Sequence, residues 1–404
     1  MKFVHLVIPD LLLPQALAGD VYAGLSLPAL QKLLGRGRHE ILEPVSLEQL
    51  LYLSFAKQDP AHPALDDAPI AAISACFDGL GPGCWLRADP VHLNLQRDQL
   101  LLAGVRVASA EAAALCASLN MHFAGQGIEF LAPHPQRWYL RLSELPRMRT
   151  TPLSQALGGD VRGMLPSGEE AAHWHRLFNE IQMLLHAHPV NEARVARGEP
   201  VINSLWFWGG GCDTLLAKPA DCGNSRQAAP VVSGEVDTSN CDGGGCDRAS
   251  GSMRSSGEPA GPPLAGALPQ KNFDCVSSDD VLAEMFAEAA DVPFSIWQEQ
   301  WRDALSLTLT RGESGCLSEG RQLLVWTGLR SALQHNDLAA WRTALQDFEN
   351  GYAQPILQAL RSGRIAQLQL DVAGRDGIRS IRLTRRDTWA FWRRTRRLAE
   401  YSLV

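Results

Sequence analysis

The stretch "RGEPVINSLWFWGGG", residues 197–211, limits the fold more than any other part of the chain. Val201 to Trp208 is dense in large apolar side chains, and three glycines follow at once. A short apolar run of this kind, bounded by turn residues, reads as a strand buried on both faces, as in a covered parallel sheet. Gly209, Gly210 and Gly211 lack Cβ atoms, so the chain there can turn at positive φ or let other backbone approach closely. Two readings follow. The triplet is either the floor of a ligand site beyond the carboxyl end of a strand or a tight turn between core elements.

With 404 residues the chain can bury a large core, organised as two domains or as one with a substantial insertion. A net charge of −7 argues against a protein that coats nucleic acid or an anionic membrane. No apolar run reaches the roughly 18 residues of a membrane span. His5, Pro9 and Asp10 interrupt the apolar N-terminus, which makes it a poor signal peptide and a good first strand. The expected location is therefore the cytoplasm. Nine scattered cysteines without a CxxC pair read as reduced thiols there.

Strands are expected at 2–8, in "CWLRADPVHLNL" and "QLLLAGV", in "IEFLA" and "RWYLRL", and at 322–327, with a closing hairpin around "AGRDG". Helices are expected at 27–35, 46–56, 68–77 and 109–123, the last capped by Ser109. Another follows a Ser167–Glu170 capping box and ends at Pro189; later ones start at "SSDD" and span 337–350. Residues 218–272 are rich in Gly, Pro and Ser and contain no aromatic residue, the composition of a long loop. Near the C-terminus, nine arginines lie between Arg375 and Arg397, interleaved with Trp389, Phe391 and Trp392. This reads as a terminal helix with its aromatics on the core and its charges in solvent. The competing reading is a nucleic-acid contact, which the acidic balance of the chain makes the less expected one.

From residue 135 a familiar order of motifs emerges: "QRWYLRL", a helix, "HPVN…R", then "N-x-x-W-x-W-G-x-G". His188, Pro189, Val190, Asn191, Arg194, Asn203, Trp206, Trp208, Gly209 and Gly211 occupy the motif positions. This run resembles the archaeal-type cofactor-independent phosphoglycerate mutases. The whole chain, with "WLRADPVHLNL" and its tryptophan-rich end, resembles the RpfE-type regulatory proteins. The resemblance implies an α/β fold of the alkaline-phosphatase type, three layers with a mainly parallel sheet, helices on both faces and an inserted smaller α+β subdomain. It would divide the chain into a core of 1–105 and 201–404, an insertion at 106–200 and the 218–272 loop. The tryptophan strand would then be the point where the chain re-enters the core.

Enzymes of that superfamily clamp phosphoryl oxygens with two divalent metals, held by Asp, His and Ser ligands, several of them C-terminal histidines. Here His335, in "QHND", is the only histidine after His188. Asp10 ends the first strand but is followed by Leu11 rather than glycine; Asp89 and His92 could make one weak site. These three are remnant catalytic candidates, and no metal or other cofactor is expected. Binding could persist through Arg137, Arg141, Asn191, Arg194, Asn203 and Gly209 to Gly211, since arginine forks and backbone N–H groups suit phosphate or carboxylate. Arg137, Arg141 and Arg194 could equally be surface or ion-paired side chains. The expected function is a regulatory or binding protein that has lost its two-metal site and senses a phosphorylated or anionic metabolite or a protein partner. The enzyme alternative is a divergent mutase or phosphomonoesterase dependent on Mn²⁺ or Mg²⁺.

Overall fold

The computed structural model describes residues 2–13, 21–42, 45–56, 68–212, 269–297, 320–334, 337–374, 377–393 and 395–401. In chain order these form β1 (Lys2–Pro9), α1 (Pro28–Arg36), β2 (Arg38–Leu42), α2 (Leu47–Phe55), α3 (Ile70–Phe77), β3 (Cys84–Gln96), β4 (Gln99–Gly104), α4 (Ser109–His122), β5 (Ile128–His134) and β6 (Arg137–Leu142). Then come α5 (Leu153–Ala156), α6 (Ala171–His186), α7 (Pro189–Ala196), β7 (Ser204–Cys212), β8 (Cys275–Ser278), α8 (Val281–Ala289), β9 (Phe294–Ile296) and β10 (Arg321–Val325). The chain closes with α9 (Arg330–Gln334), α10 (Leu338–Phe348), α11 (Gln354–Ser362), β11 (Ile365–Gly374) and β12 (Gly377–Thr384).

Two sheets organise these elements. The larger runs β2-β12-β11-β1-β10-β8-β9, and the path β11-β1-β10-β8-β9 is parallel throughout. Its edge on the β12 side is antiparallel, so the expected mainly parallel α/β sheet is present. One face of β1, through Val4, Leu6 and Ile8, packs on a cluster shared with α1, α10 and α11. Val7, on the other face, joins a second cluster with α2, α3, α8 and the second sheet. This is why β1 is apolar on both faces. A long-range cap completes α1: Leu27, at its N-cap, offers no side-chain acceptor, and the buried Glu349 accepts from Ala29 N at 2.7 Å and Leu30 N at 2.9 Å.

The second sheet is antiparallel, β4-β3-β6-β5, with β7 paired to β3. The tryptophan strand therefore lies in the smaller sheet, not in the parallel one. The expected insertion at 106–200 takes in β5 and β6, while β3, β4 and β7 of the same sheet fall in the segments expected to form the core. Local signals could not reveal this, because β3 finds a partner far along the chain, the paired Cys84 and Cys212 being 128 residues apart. The 218–272 stretch lies outside the described residues up to Pro269; beyond it, Gln270 N donates to Phe55 O and Asn272 Nδ2 to Ser54 O.

The glycines sit inside β7 rather than after it. Gly209 has φ +68, beside a register shift between Trp85 and Arg87. A Cβ on Gly211 would lie 2.7 Å from Pro69 Cβ and 3.2 Å from Ala72 Cβ; one on Gly209 would lie 3.2 Å from Ile70 Cβ. The bare backbone thus lets α3 lie directly on the strand, and the alanines of α3 (71, 72 and 75) complete the close approach. Close approach was one of the two properties expected of the triplet; the neighbour is a helix.

Smaller corrections are local. Ala108, not Ser109, is the N-cap of α4, where Glu111 accepts from Ala108 N at 3.0 Å. There is no Ser167–Glu170 box: α6 starts at Ala171, Ser167 bridges Arg149, and Glu170 accepts from Arg147 N. The C-terminal segment forms 3-10 turns instead of a helix, leaving Trp389, Phe391 and Trp392 exposed by 62, 83 and 70%. Cys84 and Cys212, opposite each other on β3 and β7, form a disulfide, and Cys275 is also disulfide-bonded, against the expectation of reduced thiols; Cys76 and Cys116 are free.

Gly211→Val should lower stability to denaturant by about 1–3 kcal/mol through overpacking against Pro69, whereas Gly81→Ala, with nothing within 4 Å, should change little. Cys84→Ser with Cys212→Ser should cost about 2–4 kcal/mol relative to the oxidised protein, and thiol counting under denaturing, non-reducing conditions checks the bond itself.

Candidate functional site

In open α/β sheets ligands bind beyond the carboxyl ends of the strands. The described residues enclose a cleft of about 630 Å³ there, lined by Pro9 and Asp10 after β1, Ala373 at the end of β11, Ser46 ahead of α2, Gln155 and Asp160, and Arg330 and Gln334 of α9. Asp10 stands at φ +61, an uncommon conformation for a residue with a side chain. It is fixed by Asp10 N donating to Ala373 O at 2.9 Å and Trp341 Nε1 donating to Asp10 O at 3.2 Å. Ser46 caps α2, its Oγ accepting from Gln49 N at 3.0 Å.

Arg330 is the cation of this cleft. Its Nε lies 3.4 Å from Asp10 Oδ2 and its Nη1 3.6 Å from Asp280 Oδ2. Burial alone would lower its pKa, but Glu48, Asp10 and Asp280 together raise it, so the guanidinium stays charged. Asp280 is held in place as the N-cap of α8, accepting from Leu282 N at 2.8 Å. Its neighbour Asp279 is pushed up by burial, although Thr327 N donates to it at 2.7 Å.

A narrower recess of about 160 Å³ shares Val45, Ser46 and Gln155 with the cleft and adds Glu48, Thr150, Thr151, Trp208 and Gly209. Of the residues singled out in the sequence, Asp10, Trp208 and Gly209 line this pair of cavities. Ser46, Glu48, Asp280 and Arg330 went unnoticed. Ser46 and Asp280 had a readable signal, since both precede helices as caps; Arg330 had none.

The other predicted residues are engaged in holding the second sheet together. Asp89 accepts from Arg87 Nη2 at 2.6 Å, Trp138 N at 3.2 Å and Trp208 Nε1 at 2.8 Å. Arg87 in turn lies over the rings of Tyr139 and Trp208, 5.2 Å from each centroid. His92 Nδ1 contacts Val201 O at 3.0 Å, and the odd spacing from Asp89 puts the two on opposite faces of β3, so they do not form one site. Asn191 accepts from Ile202 N and donates to Leu185 O and Ile202 O. Asn203 bonds both N and O of Leu93. Arg194 is buried on Glu111, Pro200 O and Arg106 O. Arg137 grips Asp78 with Nε and Nη2 while Tyr139 donates to the same carboxylate. Burial opposes the charge of Asp78, but these donors hold its pKa below the ordinary carboxylate range. Arg141 is half-exposed over Trp85, 3.9 Å from Glu129. Gly210 faces Leu86 and Leu145, and Gly211 faces α3. Among the described residues these side chains thus bond to the strands and helices around the second sheet, Arg141 being the most loosely held.

Among the described residues no three His, Cys, Asp or Glu side chains converge as metal ligands. Where carboxylates do gather, at Asp10 and Asp280, an arginine stands between them. The described residues therefore do not fit a two-metal centre; His335 lies outside them. Nor, among them, is any helix long and apolar enough to cross a membrane.

No protein-family model matches the chain. Among solved structures, a cofactor-independent phosphoglycerate mutase from Thermoplasma acidophilum aligns over 95% of this chain and 89% of its own, at 12% identity and a TM-score of 0.40. The PH0037 protein of Pyrococcus horikoshii aligns over 98% and 91%, at 13% identity and a TM-score of 0.49. The 2,3-bisphosphoglycerate-independent phosphoglycerate mutase of Methanosarcina barkeri is 27% identical over 161 residues, 39% of this chain and 40% of that protein. Its counterpart in Methanosarcina mazei is 26% identical over 197 residues, 46% and 48% of the two chains. The chain spans less than half the length of these curated relatives, and over that span it is homologous to cofactor-independent phosphoglycerate mutases.

Proposed function

We propose that this chain is a ligand-binding regulatory protein, built on a scaffold related to the phosphoglycerate mutases, whose cleft takes a small phosphorylated or anionic metabolite without a two-metal centre. It would act in the cytoplasm and pass its state to a protein partner. One observation carries the reading: Arg330 stands in the cleft held by charge, yet its one side-chain hydrogen bond among the described residues, to Asp10, is long at 3.4 Å. A guanidinium has five N–H donors, and two of them presented together match a carboxylate or phosphate. An entering anion can thus displace Asp10 from Arg330 and release the strained β1 terminus, a local change that a partner could read.

The test is calorimetric titration with 3-phosphoglycerate, beside metal analysis and a mutase assay with added Mn²⁺. Binding without turnover is expected, and Arg330→Met should weaken it by roughly tenfold or more, the worth of a charge-assisted hydrogen bond. Two bound metals with turnover would establish the enzyme alternative instead.

The exposed Trp389, Phe391 and Trp392 favour a second reading, stacking on nucleic acid beside the C-terminal arginines. Binding of single-stranded DNA that falls steeply with salt and is lost in the triple alanine variant would support it; no binding at low salt would remove it.

A further inference from the structure

The recess beside the cleft contains a side chain that the anion reading leaves unused. Glu48 is only 4% exposed, and its Oε2 has no hydrogen-bond partner among the described residues. A buried carboxylate oxygen without a donor is costly, and folded proteins leave few of them. A first-turn acid suits the dipole of α2, but Ser46 already caps the helix and Leu47, Leu50 and Leu51 supply its apolar packing, so neither role calls for burying the carboxylate. Glu48 lines the recess of about 160 Å³, room for a group of a few heavy atoms. Charge points the same way. Asp10, Asp280 and Glu48 all act on Arg330, three carboxylates against one guanidinium. A purely anionic ligand would increase that imbalance.

We infer that Glu48 is a specificity residue for a primary ammonium group, so that the cleft takes a small zwitterion: its phosphate or carboxylate on Arg330, its –NH₃⁺ in the recess on Glu48. This rests on the ligand-binding reading above and names its substrate class. The two cavities share Val45, Ser46 and Gln155, which gives one short molecule access to both. An ammonium brings three donors, and Glu48 supplies the acceptor opposite the charge.

Wild-type protein is titrated with O-phosphoethanolamine and with ethyl phosphate, which keeps the anion and lacks the amine. The amine is expected to tighten binding by roughly tenfold or more, as a desolvated charge-assisted hydrogen bond does. In Glu48→Gln, the same shape without the charge, that advantage should fall to about twofold, while ethyl phosphate should bind at least as tightly as in the wild type, because one of the carboxylates acting on Arg330 has lost its charge. Equal binding of the two probes by the wild type overturns the ammonium assignment even if no variant folds. Should Arg330→Met then abolish both, the anion reading stands alone. An advantage for O-phosphoethanolamine that survives in Glu48→Gln also overturns the assignment. Tight O-phosphoethanolamine binding indifferent to Arg330→Met would overturn the anion reading and leave Glu48 in place. Failure of both probes to bind overturns both.

Discussion

The contact between α3 and the glycines of β7 is the one on which the rest of the arrangement depends. Helices normally rest on strands through side chains, and here Pro69, Ile70 and Ala72 meet bare backbone at Gly209 and Gly211. The same small helix faces α8, which packs beside β8 of the parallel sheet, so the cluster on that face runs without interruption from Val7 to Trp208. A Cβ in this contact would push the two sheets' shared core apart, because interiors are packed too densely to absorb it. The cleft's second recess, bounded by Ile70 on one side and Gly209 on the other, is a consequence of the same approach.

Within the smaller sheet, buried polar groups set register. Asp89 joins β3 to β6 and β7 through three donors, and Asn203 holds Leu93 at the far end of β3. Asn191 and Arg194 tie α7 to the approach of β7. Asn191, Arg194 and Asn203 are among the residues through which the sequence resembles the mutases. A buried polar network of this kind specifies one pairing among many, since a slip of one residue would leave its members unpaired. The shared motif is in this chain an architectural one.

The cleft contrasts with that network. Its groups are held by charge at distances of 3.4 to 3.6 Å or, for Glu48 Oε2, by no hydrogen bond among the described residues. Asp10 sits in a sparsely populated backbone region. Loose polar contacts and local strain are features a protein sheds where nothing uses them, which is why the cleft, and not the tidier polar cluster of β3, carries the functional reading.

Periodicity and end signals in the sequence determined the elements themselves: the apolar β1, the helices over 28–36, 47–55 and 338–348, the hairpins β3–β4, β5–β6 and β11–β12. These depend on contacts made within a few residues, and local chemistry reports them. Asp10 was readable as the residue that ends the first strand, and folding places it in the lining of the cleft. Sheet membership was not, because β7 carries the same apolar run whichever sheet takes it, and its partner β3 is chosen by packing across all the elements from β4 to α7. Nor was the pairing of Arg330 with Asp10, 320 residues apart, or the burial of Glu48. Such groups acquire their meaning only from the charges and the cavity that folding brings around them, and no local pattern encodes that neighbourhood.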